Sequence, residues 1–228
     1  DVPAFGLFRM IGVARRARAI GAASFARGPE GLSIGAGTYA GDYATVVGTL
    51  SQAAGFASTA LGNRAFAAGD FGVALGSGTY SLSYGGVAIG GGMVFPAAEF
   101  GIAFGAQSRA EARLSMAIGG YALATGRSSV AIGTTYDCDG WACTEQNTSA
   151  QGLNSTAIGA GAMAGMDDST ALGPLAKAEG RSAVSIGKFA RTWADNSVAI
   201  GAESHALGIN SVALGANSLA VRDNTVSV

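Results

Sequence analysis

The sequence has few charged residues, one histidine and two cysteines. Charged side chains make up 13% of the 228 residues, with 14 basic and 15 acidic groups and a net charge of -1. A nucleic-acid-binding protein would be expected to carry a basic patch, so this balance argues against that class. His205 lies far along the chain from Cys138 and Cys143, which leaves too few ligands for a metal site, and no cofactor is expected.

The sequence also lacks the features of helical and membrane-spanning proteins. No segment keeps a 3.6-residue apolar period, and the 37 glycines fall too often for the interior of a helix. A signal-peptide pattern, a long apolar span and a heptad pattern are absent as well. The sequence is therefore expected to form an all-β fold.

What the sequence does have is a short repeated phrase, in which an apolar residue precedes glycine. The last three of these glycines, Gly187, Gly201 and Gly215, are 14 residues apart. A fixed short period is typical of a solenoid, in which each coil buries its apolar surface only against its neighbours. The recurring glycines are Gly21, Gly35, Gly48, Gly62, Gly76, Gly90, Gly105, Gly119, Gly133, Gly159, Gly173, Gly187, Gly201 and Gly215.

Each repeat predicts two short strands joined by tight turns. In the first strand, large apolar residues such as Val130 and Ile132 flank a small residue such as Ala131. We expect Val130 and Ile132 to point into the coil and Ala131 to point outward, against another copy of the chain. In the second strand, small residues lie three and five positions after the glycine and should point inward. The residues between them, among them Phe25, Tyr39, Gln52, Phe66, Tyr80, Val94 and Arg109, should point outward.

The repeats resemble a known family. The phrase NSVAIG at residues 196–201, its variants SSVAIG, NSTAIG, DSTALG and NSVALG, and the following A-x-A-x-G are similar to the head repeats of trimeric autotransporter adhesins of the Yersinia-adhesin type. The resemblance covers nearly everything from Ala19 to Val228. In that family a head commonly ends in a DNTVSVG-like coil that begins the neck, and residues 223–228 match that coil.

The resemblance implies a left-handed parallel β-roll of 14-residue coils, assembled as a homotrimer. It implies a non-enzymatic adhesin head on the outer membrane of a Gram-negative bacterium, with the stalk and membrane anchor outside this sequence. The implied partners are host matrix proteins of the collagen, fibronectin or laminin class, or host cell receptors. The repeats themselves encode the scaffold that would present the binding residues.

The sequence departs from the repeat pattern at three places. Residues 1–18 lack the phrase, with Arg18 where valine is expected, so they are predicted to form a cap or a degenerate coil before a roll over residues 19–228. Around Met93 and Phe95 one extra residue predicts a local bulge. The third departure is a 26-residue gap between Gly133 and Gly159, which leaves 12 residues more than one 14-residue repeat.

The third departure predicts a surface loop at about residues 134–149. Insertions in solenoids emerge on one face, often the binding face. In a secreted chain the pair Cys138 and Cys143 would form a disulfide. Tyr136 and Trp141 are residue types favoured in binding hot spots. The alternative is a surface loop without a role in recognition.

The candidate ligand-binding residues are therefore Tyr136 and Trp141 of the loop together with outward-facing cations of the roll, namely Arg109, Lys177 and Arg191. Two alternatives to an adhesin remain, an ice-binding solenoid and a purely structural spacer. Ice binding would require a flat array of threonines at matched outward positions, which the outward column does not provide. An acyltransferase on a hexapeptide β-helix would require a six-residue period and a histidine base.

Overall fold

The structure is a computed structural model that describes residues 11–12, 15–135 and 146–228. Its 30 short strands form two compact units, Asp1–Phe104 and Gly105–Val228. In each unit the odd-numbered strands form one parallel sheet, sheet A, and the even-numbered strands form a second, sheet B. The expected all-β solenoid is thereby confirmed.

The N-terminal unit contains seven strands in each sheet. In sheet A they are β1 (Ile11–Gly12), β3 (Phe25–Ala26), β5 (Tyr39–Ala40), β7 (Gln52–Ala53), β9 (Phe66–Ala67), β11 (Tyr80–Ser81) and β13 (Met93–Val94). In sheet B they are β2 (Arg18–Ile20), β4 (Leu32–Ile34), β6 (Thr45–Thr49), β8 (Thr59–Asn63), β10 (Val73–Leu75), β12 (Val87–Ile89) and β14 (Ile102–Phe104).

The C-terminal unit contains eight strands in each sheet. In sheet A they are β15 (Arg109–Ala110), β17 (Leu123–Ala124), β19 (Ser149–Ala150), β21 (Met163–Ala164), β23 (Lys177–Ala178), β25 (Arg191–Thr192), β27 (His205–Ala206) and β29 (Leu219–Ala220). In sheet B they are β16 (Met116–Ile118), β18 (Val130–Ile132), β20 (Thr156–Ile158), β22 (Thr170–Leu172), β24 (Val184–Ile186), β26 (Val198–Ile200), β28 (Val212–Leu214) and β30 (Val226–Ser227).

The strands pair in the register of the repeat. Val184 lies beside Val198, and Val198 beside Val212, so equivalent residues of successive coils are neighbours 14 positions apart in sequence. Parallel strands lie about 4.8 Å apart. Every position of the repeat therefore forms a column of side chains along its unit.

The core of each coil is made of alanine and serine. In every sheet B strand except the last, the second residue is buried, as Ala60, Ala131 and Ala171 are at 0% exposure, while the flanking large residues are only half-buried or exposed. The expectation that Ile132 points inward and Ala131 outward is therefore wrong. The space between the two sheets of a flattened 14-residue coil is filled mainly by alanine and serine, and the largest buried apolar side chains of the described residues are the valines Val46 and Val94. Isoleucine, leucine and most valines of the first strand therefore point outward.

The second strand of each coil has the expected orientation. Ser24 and Ala26 are both buried at 0% exposure, and Phe25 between them is exposed. Val94 is the exception, because it is buried while Met93 pairs with Tyr80 in the outward column. Val94 lies four positions after Gly90, whereas Ser81 lies five positions after Gly76, and this shift moves the whole strand by one position.

Glycine at the end of each sheet B strand is required by two constraints. Gly187 and Gly201 have φ values of 131° and 135°, a region that residues with a side chain rarely adopt. A Cβ on Gly187 would also lie 2.4 Å from the carbonyl oxygen of Gly201 in the next coil. The recurring phrase thus ends in glycine because the coils stack there backbone against backbone.

Buried serines close both turns of the coil. After the first strand, Ser204 Oγ donates a hydrogen bond of 2.9 Å to the Gly201 carbonyl. After the second strand, Ser211 Oγ donates one of 2.7 Å to the Gly208 carbonyl. Buried hydroxyls need such partners, and this need explains why serine recurs before the apolar phrase and after the glycine.

The segments that depart from the sequence repeat still form paired parallel strands in the residues that the structure describes. Strand β1 pairs with β3, and β2 pairs with β4, so residues 11–12 and 18–20 occupy the strand positions of a coil. At the insertion, Thr135 Oγ1 donates 2.9 Å to Asn147 Oδ1. Thr148 is already back in the coil, where its hydroxyl lies 2.7 Å from the Gly159 carbonyl oxygen and 3.0 Å from that of Thr134 and can donate to either. Tyr136, Cys138, Trp141 and Cys143 lie outside the described residues.

Candidate functional site

The outer face of sheet B is an apolar surface in both units. In the N-terminal unit Ile20 and Leu61 are 54% and 36% exposed, and in the C-terminal unit Ile158, Ile200 and Leu214 are 39%, 39% and 38% exposed. Because the coil interior is filled mainly by alanine and serine, these side chains have no other surface to pack against within one chain. Large contiguous apolar patches on a protein surface are typical of contacts with other proteins.

The outer face of sheet A in the C-terminal unit carries a column of three basic side chains, the cation column. Lys177 pairs with Arg191 across β23 and β25, and Arg191 pairs with His205 across β25 and β27. Basic side chains directly opposite each other in a sheet are unfavourable unless something compensates them. The sequence analysis identified Lys177 and Arg191, and the structure places them side by side.

Arg191 is held by two neighbours. Its Nε and Nη2 donate hydrogen bonds of 2.9 and 3.0 Å to the Glu179 carboxylate, and its guanidinium lies 4.2 Å from the centre of the Trp193 ring. Two parallel hydrogen bonds to a carboxylate fix the orientation of a guanidinium more firmly than one. Arg191 is thus a preorganised group, and Glu179 offsets its charge.

A shallow pocket of about 210 Å³ lies over the cation column. Its walls combine the three basic side chains with apolar groups and one amide from the end of the insertion. Such a mixture can bind an acidic side chain that has an apolar stem. The lining residues are Gln146, Leu175, Lys177, Phe189, Arg191 and His205.

The structure does not bring Arg109 into the cation column. Arg109 lies in β15, four strand positions from Lys177 in sheet A, which corresponds to about 19 Å. Its strand neighbour is Leu123, and its guanidinium forms an ion pair of 2.7 Å with Glu111. His205 was not identified from the sequence, although its position 14 residues after Arg191 could have revealed it.

The sequence analysis also missed an aromatic surface in the N-terminal unit, which we call the turn ridge. At the turn that follows the sheet A strand, five successive coils each present one aromatic ring, 43% to 50% exposed. Neighbouring ring centres are 5.2 to 5.6 Å apart. The turn ridge consists of Tyr43, Phe56, Phe71, Tyr84 and Phe100.

The described residues contain neither a cluster of metal ligands nor a membrane-spanning helix. Residues 11–12, 15–135 and 146–228 contain no group of three or more histidine, cysteine, aspartate or glutamate side chains that could hold a metal ion. Within the same ranges no helix is long and apolar enough to cross a membrane.

Comparison with known proteins assigns the family. The sequence profile of the family described as "YadA head domain repeat (2 copies)" matches residues 53–79, 98–122, 110–135, 146–162, 164–190 and 192–226, which is more than half of the chain. The chain belongs to the YadA head-domain family. The resemblance inferred from the repeated phrase is thereby confirmed, and this YadA-type head is part of a cell-surface adhesin.

The YadA-type head is also similar to a solved structure, the crystal structure of the collagen-binding domain of Yersinia adhesin YadA. The two share 25% sequence identity over 70% of this chain and 66% of that chain, with a TM-score of 0.35. The match therefore spans just under two thirds of the solved chain. No curated protein sequence matches with significance.

Proposed function

We propose that this YadA-type head assembles as a homotrimer and binds a host matrix protein without catalysing a reaction. The observation that carries the proposal is the column of large apolar side chains on the outside of sheet B, which the coil itself cannot bury. The trimer would be displayed on the outer membrane of a Gram-negative bacterium. Collagen is the matrix protein of first choice, because the solved Yersinia relative is a collagen-binding domain.

Assembly through sheet B follows from the energetics of the coil. Alanine and serine cores bury little apolar area per coil, so the chain gains stability by burying the outer isoleucine, valine and leucine side chains. Closed rotational symmetry would bring the same face of each chain to a common axis. Sheet A and the turns would then stay exposed and available to a ligand.

Three copies would present each surface group three times. Weak contacts made by Lys177 and Arg191 to a ligand with repeated acidic groups would then reinforce one another through effective concentration. Tyr136 and Trp141 of the insertion are further candidates for these contacts, and Cys138 and Cys143 are candidates for a disulfide that closes the loop. Fibronectin, laminin and host cell receptors are the alternative ligands.

The proposal is tested by measuring mass and binding on the same preparation. Light scattering at micromolar concentration is expected to give three times the 22.4 kDa chain mass. Solid-phase binding to immobilised collagen, fibronectin and laminin should then reveal saturable binding to one of them, with collagen expected. A stable monomer would contradict the assembly, and absence of binding to all three would contradict the matrix ligand.

The role of the insertion has its own test. We expect deletion of residues 136–147 to leave the trimer and its melting temperature nearly unchanged, because loop length has a small effect on stability. Trp141→Ala in the full chain is the matched variant that removes a side chain without shortening the loop. Weaker matrix binding by both would support recognition by the loop, and unchanged binding would assign recognition to the roll alone.

A further inference from the structure

Along the turn ridge, the position of the aromatic ring within the turn alternates from coil to coil. It therefore repeats every two coils, although the sequence repeat itself spans one coil. In the first, third and fifth coils the ring occupies the turn residue with positive φ, at Tyr43, Phe71 and Phe100, with φ of 57°, 57° and 56°. In the second and fourth coils the ring lies one position earlier, at Phe56 and Tyr84. The ridge therefore repeats every two coils, or about 9.5 Å.

The residues beside the rings follow the same alternation. Where the ring has positive φ, the residue before it is acidic: Asp42, Asp70 and Glu99. Where the ring comes first, the next residue is small, either Ala57 or Gly85. Gly85 makes room for its neighbour, since a Cβ there would lie 2.8 Å from Phe100 Cδ1. The ten residues include three carboxylates and no lysine or arginine, and a neighbouring cation, Arg27, shares a pocket with Asp42 and Phe56. One oxygen of Asp70 accepts the Phe56 amide at 2.8 Å, which leaves its second oxygen for a ligand.

The backbone holds the rings in place. The Phe71 amide donates 2.8 Å to the Phe56 carbonyl, and the Phe100 amide donates 2.9 Å to the Tyr84 carbonyl, so the turns are connected from coil to coil. Neighbouring rings meet at interplanar angles of 58° to 82°. Ring faces and ring edges therefore alternate along the ridge instead of forming a flat stack.

We propose that the turn ridge binds a single polypeptide strand in the polyproline II conformation that carries a basic residue at every third position. A polyproline II helix has three residues per turn and a rise of 3.1 Å, which gives a repeat of about 9.3 Å. This repeat matches the two-coil spacing of Asp42, Asp70 and Glu99. The ridge, which spans about 19 Å, is long enough for about six residues of such a strand.

The chemistry of the ridge matches the geometry. Proline-rich strands bind to aromatic surfaces because they are already extended and lose little conformational entropy. Arginine side chains in the same strand can pair with carboxylates and lie against ring faces. This inference depends on the chain being an extracellular binding module, as proposed above, but it concerns a surface other than the cation column.

The test is a titration of the intact head with labelled twelve-residue peptides, followed by fluorescence anisotropy. The principal probe is four Pro-Pro-Arg repeats. A second peptide has the same composition with its arginines adjacent, a third is four Gly-Ser-Arg repeats, and a fourth is four Pro-Pro-Glu repeats. We expect the first peptide to bind at least about tenfold more tightly than each of the others, because only it has the charge, conformation and spacing together.

Matched variants locate the binding surface. The triple variant Phe56→Ser, Phe71→Ser, Tyr84→Ser should weaken binding at least about tenfold. The control is Leu114→Ser, Leu153→Ser, Ile209→Ser, at the corresponding turns of the C-terminal unit, where the side chains are 47%, 41% and 48% exposed. Because serine at the ridge could disturb the fold, a charge variant, Asp42→Asn, Asp70→Asn, Glu99→Gln, provides a second measurement. It should lower affinity several-fold and remove most of the salt dependence.

Each alternative outcome overturns the inference. Equal binding of the Gly-Ser-Arg peptide would show nonspecific charge attraction, and equal effects of the ridge and control variants would exclude the ridge. A change in mass for the charge variant would identify the ridge as a contact between chains. Solid-phase binding of the parent to collagen tests the proposed function independently, so collagen binding without peptide binding would overturn this inference alone.

Discussion

The N-terminal and C-terminal units share one interior but have different exteriors. In both, alanine occupies the inward position of sheet B, as at Ala60 and Ala171, and is fully buried. The exterior of the N-terminal unit is aromatic, with the turn ridge and with Phe66 against Tyr80 on sheet A. Sheet A of the C-terminal unit instead carries the cation column. The inward residues and glycines therefore suffice to define the coil. The outward residues can differ between the two units without changing it.

The turns that follow sheet A show the same division. In the C-terminal unit the carboxylates of Asp167, Asp195 and Asp223 accept the backbone N–H of the equivalent turn one coil earlier, at 2.9, 2.8 and 2.7 Å. In the N-terminal unit Asp70 does this for Phe56, and ring contacts connect the other turns. One unit links its coils by charge-assisted hydrogen bonds, and the other links them mainly by aromatic packing.

The largest effect is expected where the two units are alike. Ala60→Asp and Ala131→Asp should each destabilise the protein by about 4 kcal/mol or more, because each places an unpaired carboxylate in a core of small residues. At fixed protein concentration this corresponds to a fall in melting temperature of about 8 °C or more. Gln52→Asp, at an exposed position of β7, is the control and should change little. If one unit tolerates its aspartate, the two interiors are not equivalent.

A second variant separates the interior from the apolar exterior. Ile132→Asp changes the residue next to Ala131, and we expect its main effect on assembly because Ile132 is on the outer face of sheet B. The mass measured by light scattering should fall to that of a single 22.4 kDa chain, with a smaller loss of melting temperature than Ala131→Asp. Arg109→Asp, on sheet A, should remain trimeric. If Ile132→Asp is also a trimer, assembly uses another face.

These variants concern the orientation of the first strand, which the sequence analysis predicted wrongly. The period, the parallel register and the orientation of the second strand could all be predicted from residues 14 positions apart. The first strand alternates between Ala131 and its large neighbours, and alternation leaves two orientations open. Hydrophobicity favoured isoleucine inside, whereas the narrow space between the sheets holds alanine or serine in nearly every coil and a valine at Val46. The uniform size of the central residue was the informative observation.

The candidate sites were predictable to different extents. The spacing of Lys177 and Arg191 places them together, but only the side-chain geometry reveals that Glu179 and Trp193 hold Arg191. The turn ridge was missed because its rings alternate between two positions of the turn. Examination of one column at a time therefore separates Phe56 from Phe71, although the two rings are in contact.

A third prediction compares the two kinds of turn. Phe71 contacts both Phe56 and Tyr84, at centroid distances of 5.6 Å each, so Phe71→Ala removes two aromatic pairs. With each pair contributing about 0.5 to 1.5 kcal/mol, the loss should be about 2 kcal/mol. Leu114→Ala, at a residue of similar exposure in the C-terminal unit, should lose less than about 1 kcal/mol. Equal losses in denaturant unfolding would mean that the rings stabilise the coil only as generic apolar groups.

The smallest effect is expected at the charged exterior. The side chains of Arg191 and Glu179 are 34% and 28% exposed, with the guanidinium 2.8 Å from the carboxylate. Arg16 and Glu30 form a more distant pair at 3.5 Å, with side chains 83% and 49% exposed. Solvent screens both pairs, but the first has two hydrogen bonds and a tryptophan beneath the cation, so a double-mutant cycle with alanine should give about 0.5 to 1 kcal/mol for it.

The same cycle on Arg16 and Glu30 should give a coupling near zero, because two mobile side chains in water gain little from each other. Raising the salt concentration should reduce the first coupling only partly, since the stacking of Arg191 on Trp193 is less sensitive to ions than the charge pair. Trp193→Ala would remove the ring beneath the Arg191 guanidinium, so repeating the cycle in this variant measures how much the ring contributes to the coupling. If the coupling of Arg191 to Glu179 survives that change in full, the carboxylate alone orients the guanidinium. The tryptophan would then be available to a ligand instead of to the scaffold.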